Sequence, residues 1–528
     1  MSGCLGKSLI MISNRWIFLL ALLFFCKMLL MAYWITPLWD ISDETGHFAY
    51  ARDIAEGQGI PVIGVAVIES DIMSHASGKD IEPARMNWIA QHPPLYYFGA
   101  GAVWKIATHL TDDPQWLFKA PRIVSALAGA LTLMVLYCLL VFATGDRLAG
   151  LGVAACVGCI PMFSHMSSGT SHDTTVTLLA ALAVYFWVRF LRDKKIRDAY
   201  FMAIWLSLAC GTKMTAFLLV PPMLAVVMIE LCIPWAPRIR HMILITGIST
   251  SLPALWMIRS YLHLGDPFII AGGLKPSSVK VVDGFLDFVS KTEVLEAIYI
   301  HFWGLFGLAG TFRDVHLERI DGWPLAFYSW AVLLLLLMLL WVLVWRFFVM
   351  KKKVSSVSES SGPNSLILRW YRFIGVSGKA LFISWALLFF AASFSVFAHQ
   401  LIYSSPGGET RLLFFAGSTF VLCAAVVVFL KPLDGEERLV CYSLLVVSFF
   451  VSVFLWKLYW SYLGTGLARG LHGRYFFPLI PLMLIAAFLP LIRWLKLPSW
   501  VPVMFAVAFS LAEMATMLTQ VIPLWKNV

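Results

Sequence analysis

Thirteen apolar runs divide this chain, most of them close to the roughly 20 residues that an α-helix needs to cross the hydrocarbon core of a bilayer. They fall at 16–36, 120–143, 148–166, 174–191, 199–212, 214–232, 242–258, 324–348, 380–403, 411–430, 439–459, 475–492 and 500–521. In lipid every backbone N–H and C=O must find a partner inside the protein, so runs of this length predict an all-α polytopic membrane fold. Composition agrees, with 60% apolar and 13% charged residues and a mean hydropathy of +0.80, which excludes a water-soluble chain.

A net charge of +10 would suit nucleic acid, but the basic residues sit in short clusters between apolar runs, where they orient the spans. Every second loop is basic: Arg147; Arg192, Lys194, Lys195 and Arg197; Arg238 and Arg240; Lys351 to Lys353; Lys431 and Arg438; Arg493 and Lys496. Those loops are assigned to the cytoplasm, with the N-terminus inside and, for an odd number of spans, the C-terminus outside. No nucleic-acid partner is expected; the bilayer is. The chain reads as one transmembrane domain over 1–528 without internal repeats. It has two long extracytoplasmic loops, 37–119 and 259–323, and a Ser-rich cytoplasmic linker at 350–379. The weakest boundary is within 199–232, where Lys213 interrupts the apolar run and Pro221-Pro222 follow. Lys7 and Arg15 precede the first run, which has no A-x-A cleavage site and reads as an uncleaved anchor. All nine cysteines lie in or beside apolar segments and read as small hydrophobes; Cys156-x-x-Cys159 has no second pair to complete a metal site.

The first outer loop holds the concentration of acid. Between Pro37 and His92 there are nine carboxylates against Arg52, Lys79 and Arg85. Ser42 is placed to cap a helix beginning at Asp43 and ending near Gly57, with Asp43, His47, Tyr50 and Ile54 on one face. Asp43 and Glu44 then occupy its first turn, where the helix dipole and free N–H groups favour a charged carboxylate, ready to act as a base or ligand. The same pattern also describes two acids steadying a solvated helix. His92-Pro93-Pro94-Leu95-Tyr96-Tyr97 leads into a short aromatic stretch to His109 suited to lying in the interface.

Asp43-Glu44-x-x-His47-Phe48 followed by His92-Pro93-Pro94-Leu95-Tyr96-Tyr97 resembles the GT-C superfamily of membrane glycosyltransferases, above all protein O-mannosyltransferases and lipid A aminoarabinose transferases. Further likenesses are His172-Asp173, Gly211-Thr212-Lys213, Arg259-Ser260-Tyr261 with Gly265-Asp266-Pro267, Phe302-Trp303-Gly304-x-Phe306-Gly307 and Gly473-Arg474-Tyr475-Phe476-Phe477-Pro478. The sequence departs from many such enzymes in having no soluble C-terminal domain, which leaves the acceptor open. The resemblance implies a GT-C-like fold of about 13 helices with interfacial helices in its two long loops. It implies a bacterial inner-membrane enzyme facing the periplasm or exterior, and a polyprenyl-phosphate-linked sugar as donor. Asp43 is the position that matches the catalytic base of the first outer loop.

Moving a sugar from a lipid phosphate to an acceptor hydroxyl, on a lipid, glycan or protein, needs one base and cations to neutralise the leaving phosphate. No general acid is needed, unlike glycoside hydrolysis. Asp43 is the candidate base, and Glu44 would orient the base or the acceptor. His47, His92, Tyr96 and Asp173 are candidates for substrate contact or support, although a histidine four residues after an Asp also fits simple surface pairing. Lys213, Arg259, Arg411 and Arg474, near outer ends of spans, are candidate phosphate ligands; Arg411 also has Glu409 beside it as an ordinary partner. No cofactor is required; a divalent metal between Asp43 and Asp173 is compatible with the pattern, as in the oligosaccharyltransferase branch. Two other classes compete. A transporter or flippase predicts inverted repeats and mid-membrane polar breaks. An O-antigen ligase or polymerase relies on arginine and histidine in a large outer loop. The acids directly after the first span argue against both.

Overall fold

The computed structural model describes residues 15–267, 284–291, 294–306, 318–358, 435–465 and 472–526. Among the described residues eight helices are long and apolar enough to cross a membrane: Arg15–Ile35, Pro114–Thr144, Asp173–Asp193, Trp235–Leu264, Gly322–Val342, Gly435–Tyr459, Gly473–Arg493 and Trp500–Val521. The protein is therefore a helical, multi-pass integral membrane protein. The expected runs 380–403 and 411–430, most of the linker at 350–379, and Arg411 lie outside the described residues, so the count of thirteen is not established.

The remaining expected spans are broken or short, each for a local reason. Arg147–Gly158 and Pro161–Ser167 meet at a 71° bend. Pro161 opens the second piece, and the residue before a proline is pushed out of helical geometry; Ile160 is accordingly extended at φ −77°, ψ 116°. At the boundary the sequence marked as weakest, Lys213 is extended (φ −153°, ψ 122°) between Ile196–Thr212 and Met214–Leu219, so the segment is two helical pieces.

The first outer loop is structured. Its helix Glu44–Ala55 packs against Leu95–Ala107 closely enough that a Cβ on Gly101 would meet the Ala51 carbonyl oxygen at 2.6 Å. Val67–Ile68 pairs antiparallel with Arg85–Met86, Val67 opposite Met86. Two expectations need correcting. The helix starts at Glu44, with Asp43 just outside it in the left-handed region at φ 66°, and Asp43 makes no capping bond to the helix N–H groups. The second long loop starts later than expected, since Trp235–Leu264 carries the helix past Arg259.

Candidate active site

The backbone first turns Asp43 out of its helix. A non-glycine residue at positive φ is strained and persists only where its surroundings hold it. Here the carboxylate is gripped from both sides: Trp88 Nε1 donates to Oδ1 at 2.9 Å and Arg474 Nη2 donates to Oδ2 at 2.8 Å. Partial burial pushes the Asp43 carboxyl up, but Arg474, His47 and His472, with the Trp88 hydrogen bond, outweigh it and hold it at about 2.

Arg474 comes from 431 residues away. It sits on the short turn Gly473–Leu479 that opens the span Gly473–Arg493, and that turn lies so close to the helix Val294–Trp303 that a Cβ on Gly473 would stand 2.2 Å from the Phe302 nitrogen. Its guanidinium also reaches the Ser42 carbonyl (Nη1, 3.3 Å) and Asp173 (Nε to Oδ2, 3.5 Å). Asp173, the first residue of Asp173–Asp193, is bound in turn by Lys213, released from helical geometry at the break described above, and by Ser171 Oγ at 3.2 Å. The Lys213 ammonium stands 4.2 Å from the centre of the Tyr475 ring. Asp43, Arg474, Asp173 and Lys213 thus alternate in charge. Arg474, Asp173 and Lys213 side chains are each 3% exposed, whereas Asp43 is 31% exposed, so only the Asp43 end of the series opens outward.

Behind Asp43 is a wall of buried rings. His47 Nδ1 and Tyr97 Oη are 2.7 Å apart, Tyr97 Oη and His172 Nδ1 3.1 Å, and the His92 ring lies 4.6 Å from that of His172. Tyr50 stacks on Tyr97 at 3.8 Å and donates its hydroxyl to the His92 carbonyl. Burial pushes His47 down to about 3, and His92 and His172 well below the usual histidine range, so all three imidazoles are neutral.

Residues 91–257 match the family model described as Dolichyl-phosphate-mannose-protein mannosyltransferase, a segment that contains His92, Tyr97, His172, Asp173 and Lys213. The GT-C glycosyltransferase resemblance is borne out. Two solved structures of ArnT from Cupriavidus metallidurans, in the apo state and bound to undecaprenyl phosphate, align at 13% and 14% identity with TM-scores of 0.31 and 0.32. Each alignment covers 83% of this chain and 78% of that one. No curated protein matches the chain.

Several expected residues gather in this site and others do not. Asp43, His47, His92, Asp173, Lys213 and Arg474 form the cluster just described. Glu44 turns away from Asp43: Arg122 grips it through Nε and Nη2, both at 2.8 Å, and the Trp39 and Thr170 backbone N–H groups add bonds of 2.9 and 2.8 Å. With a side chain 1% exposed it touches no acceptor, because its four bonds tie the loop to the Arg122 helix. Tyr96 is buried with its hydroxyl 3.0 Å from Ser125 Oγ, too enclosed to stack on a sugar. Arg259 donates to the carbonyls of Ile60 and Pro61 at 2.7 and 3.3 Å and lies against Trp256, away from the Asp43 contacts. Between Asp43 and Asp173, where the sequence pattern is compatible with a divalent metal, the Arg474 guanidinium contacts both carboxylates. No group of three or more potential metal ligands occurs among the described residues. Sequence reasoning missed the roles of Arg122, Tyr97, His172 and Trp88. The residues beside Tyr96 and Asp173 in the recognised motifs were the available signal.

Proposed function

We propose that this chain transfers a sugar from a polyprenyl-phosphate-linked donor to an acceptor hydroxyl at the extracytoplasmic face of a bacterial inner membrane, with inversion and with Asp43 as general base. One observation carries the reading: Asp43 is the open end of a charge series whose buried members, Arg474 and Lys213, are the cations a departing phosphate needs. The matched family is named for a lipid-phosphate mannose, which supports the donor class.

In the chemistry proposed, the acceptor hydroxyl attacks the anomeric carbon as its proton passes to Asp43, and the C–O bond to the lipid phosphate breaks with its electrons leaving on phosphate. At a carboxyl held near 2, Asp43 is fully ionised at neutral pH but weakly basic. A donor phosphate drawing Arg474 toward itself would remove the largest charge opposing protonation of Asp43 and strengthen the base as the leaving group is bound. Lys213 would supply a second positive charge, and Asp173 would hold both cations before the donor arrives. Arg474 and Lys213 would together supply the positive charge that a divalent cation otherwise brings to the phosphate, so a chelator should leave turnover unchanged. The acceptor is a glycan, lipid or protein hydroxyl. The deciding experiment reconstitutes the purified protein with undecaprenyl-phosphate sugars and compares Asp43→Asn with wild type. The variant should bind donor and lose transfer by about 10²–10⁴-fold, the usual contribution of a general base; transfer at the wild-type rate would overturn the assignment.

A further inference from the structure

Tyr97 stands between two imidazoles, with its hydroxyl 2.7 Å from His47 Nδ1 and 3.1 Å from His172 Nδ1. A phenol has one proton to give, so it donates to one ring and must accept from the other. One histidine is then protonated at Nδ1 and the other at Nε2: the two neutral rings hold opposite tautomers. Reversing the direction of both hydrogen bonds exchanges the tautomers without moving a heavy atom. His47, Tyr97 and His172 are 1%, 0% and 2% exposed, so water does not substitute for either partner. The Tyr50 stack holds the phenol in line.

The outer nitrogen of His172 lies toward a site carboxylate, and the His47 ring is coupled to the other through its place on the helix. His47 is one helical turn beyond Asp43, its backbone N–H bonded to the Asp43 carbonyl at 3.0 Å, and Asp43 is the largest influence favouring its charged form. His172 Nε2 is buried without a hydrogen-bond partner and lies 3.9 Å from Asp173 Oδ1. A buried polar atom left open in this way calls for a function.

We propose that His47, Tyr97 and His172 form a two-state proton relay joining the Asp43 and Asp173 sides of the site. The proposal rests on Asp43 as the base. In the receiving state His47 carries its proton on Nδ1 and donates to Tyr97, which donates to His172 Nδ1, while His172 Nε2–H faces Asp173. A proton taken by Asp43 from the acceptor passes to His47 Nε2. The His47 Nδ1 proton moves to the Tyr97 oxygen, the Tyr97 proton moves to His172 Nδ1, and the His172 Nε2 proton leaves toward Asp173. One proton enters, one leaves, and every ring is neutral at both ends of the step. The exit lies beside Lys213 and Arg474, where the leaving phosphate gathers charge.

The test is ¹⁵N NMR of histidine-labelled protein in bilayers, with His47 and His172 assigned through His47→Gln and His172→Gln. Protonated and bare imidazole nitrogens give separate signals, so each tautomer is read directly. Wild-type protein should show the two rings in opposite tautomers. Each carboxylate favours an N–H pointing at itself, so neutralising one end should bias the chain toward the other. Asp43→Asn should leave His172 protonated at Nε2 and His47 at Nδ1, and Asp173→Asn should produce the mirror image. A fixed structural chain would keep one assignment in both variants. In a Tyr97→Phe background the distant ring should no longer respond. The same tautomer on both rings of the wild type, or one unchanging assignment in the variants, would overturn the relay, and the wild-type spectrum decides the first point even if a variant fails to fold. Sugar transfer retained by Asp43→Asn would instead remove the base and leave these spectra as they are.

Discussion

Asp43 and Glu44 are adjacent acids with opposite surroundings. Glu44 accepts four hydrogen bonds, two of them charge-assisted from a fully buried Arg122, and its side chain is 1% exposed. Arg122 is saturated as well, donating also to the carbonyls of Ala32, Thr36 and Pro37 at 2.7–3.0 Å. Asp43, by contrast, has two side-chain donors, a strained backbone and a 31% exposed side chain. A buried pair with every lone pair and proton occupied is a fixed joint. An ion pair with an open flank can exchange partners. The difference divides the motif into a foundation and a working residue, and it can be broken at either acid.

The largest effect is expected at the foundation. Arg122→Met leaves Glu44 charged, buried and without its counter-ion, a change that costs about 3–5 kcal/mol when a buried pair loses one partner. Because Arg122 joins the end of the first span to the outer loop and the second long helix, the loop should detach. Thermal unfolding of the variant in detergent should fall well below wild type, with protease cleavage appearing between 37 and 119. A melting curve unchanged from wild type would show that the joint contributes little.

How far this division was legible in the sequence follows from the range of the forces involved. The spans could be read because hydrophobic transfer acts on contiguous runs, and the breaks at Ile160 and Lys213 are local consequences of a following proline and of an extended residue. The acid-rich loop and the Asp43 motif were visible as composition and order. That Glu44 would pair with Arg122, 78 residues on, was not, since nothing in spacing chooses between adjacent acids for a distant guanidinium. The left-handed turn at Asp43 was hidden for the same reason: local preference favours Ser42 as a helix cap, and only Arg474 and Trp88 make the strained alternative worthwhile. Arg259 misled because a helix that continues beyond its apolar run carries no marker at the point of exit.

The next largest effect sharpens the working side. Arg474→Gln removes the guanidinium that opposes protonation of Asp43, so the Asp43 carboxyl, now about 2, should rise toward its ordinary 3.8 or above. In wild type the depressed value gives stability that is fully present above 3.8 and is lost as the pH falls through about 2. In the variant, whose folded value no longer lies below 3.8, that contribution should be largely absent. Its kcat/KM should fall by about 10²-fold, comparable to deleting one donor to a developing anion, with the acid limb of the profile displaced upward. Loss of rate with an unmoved acid limb would mean that Arg474 acts on the donor alone.

The smallest effect is expected at Trp88. Its indole N–H is the other donor to Asp43, a single hydrogen bond to a charged group, worth about 1.5–3 kcal/mol if no water replaces it. Because Asp43 is open to solvent on one flank, water should take over most of that bond, so Trp88→Phe is expected to cost about 1 kcal/mol, roughly fivefold in turnover. The ring contacts with the first-loop cluster remain, so stability should hardly change. The acid limb should move up slightly, in the same direction as in Arg474→Gln, because a hydrogen bond to the carboxylate favours its charged form. A large loss of turnover with no movement of that limb would place Trp88 against substrate instead.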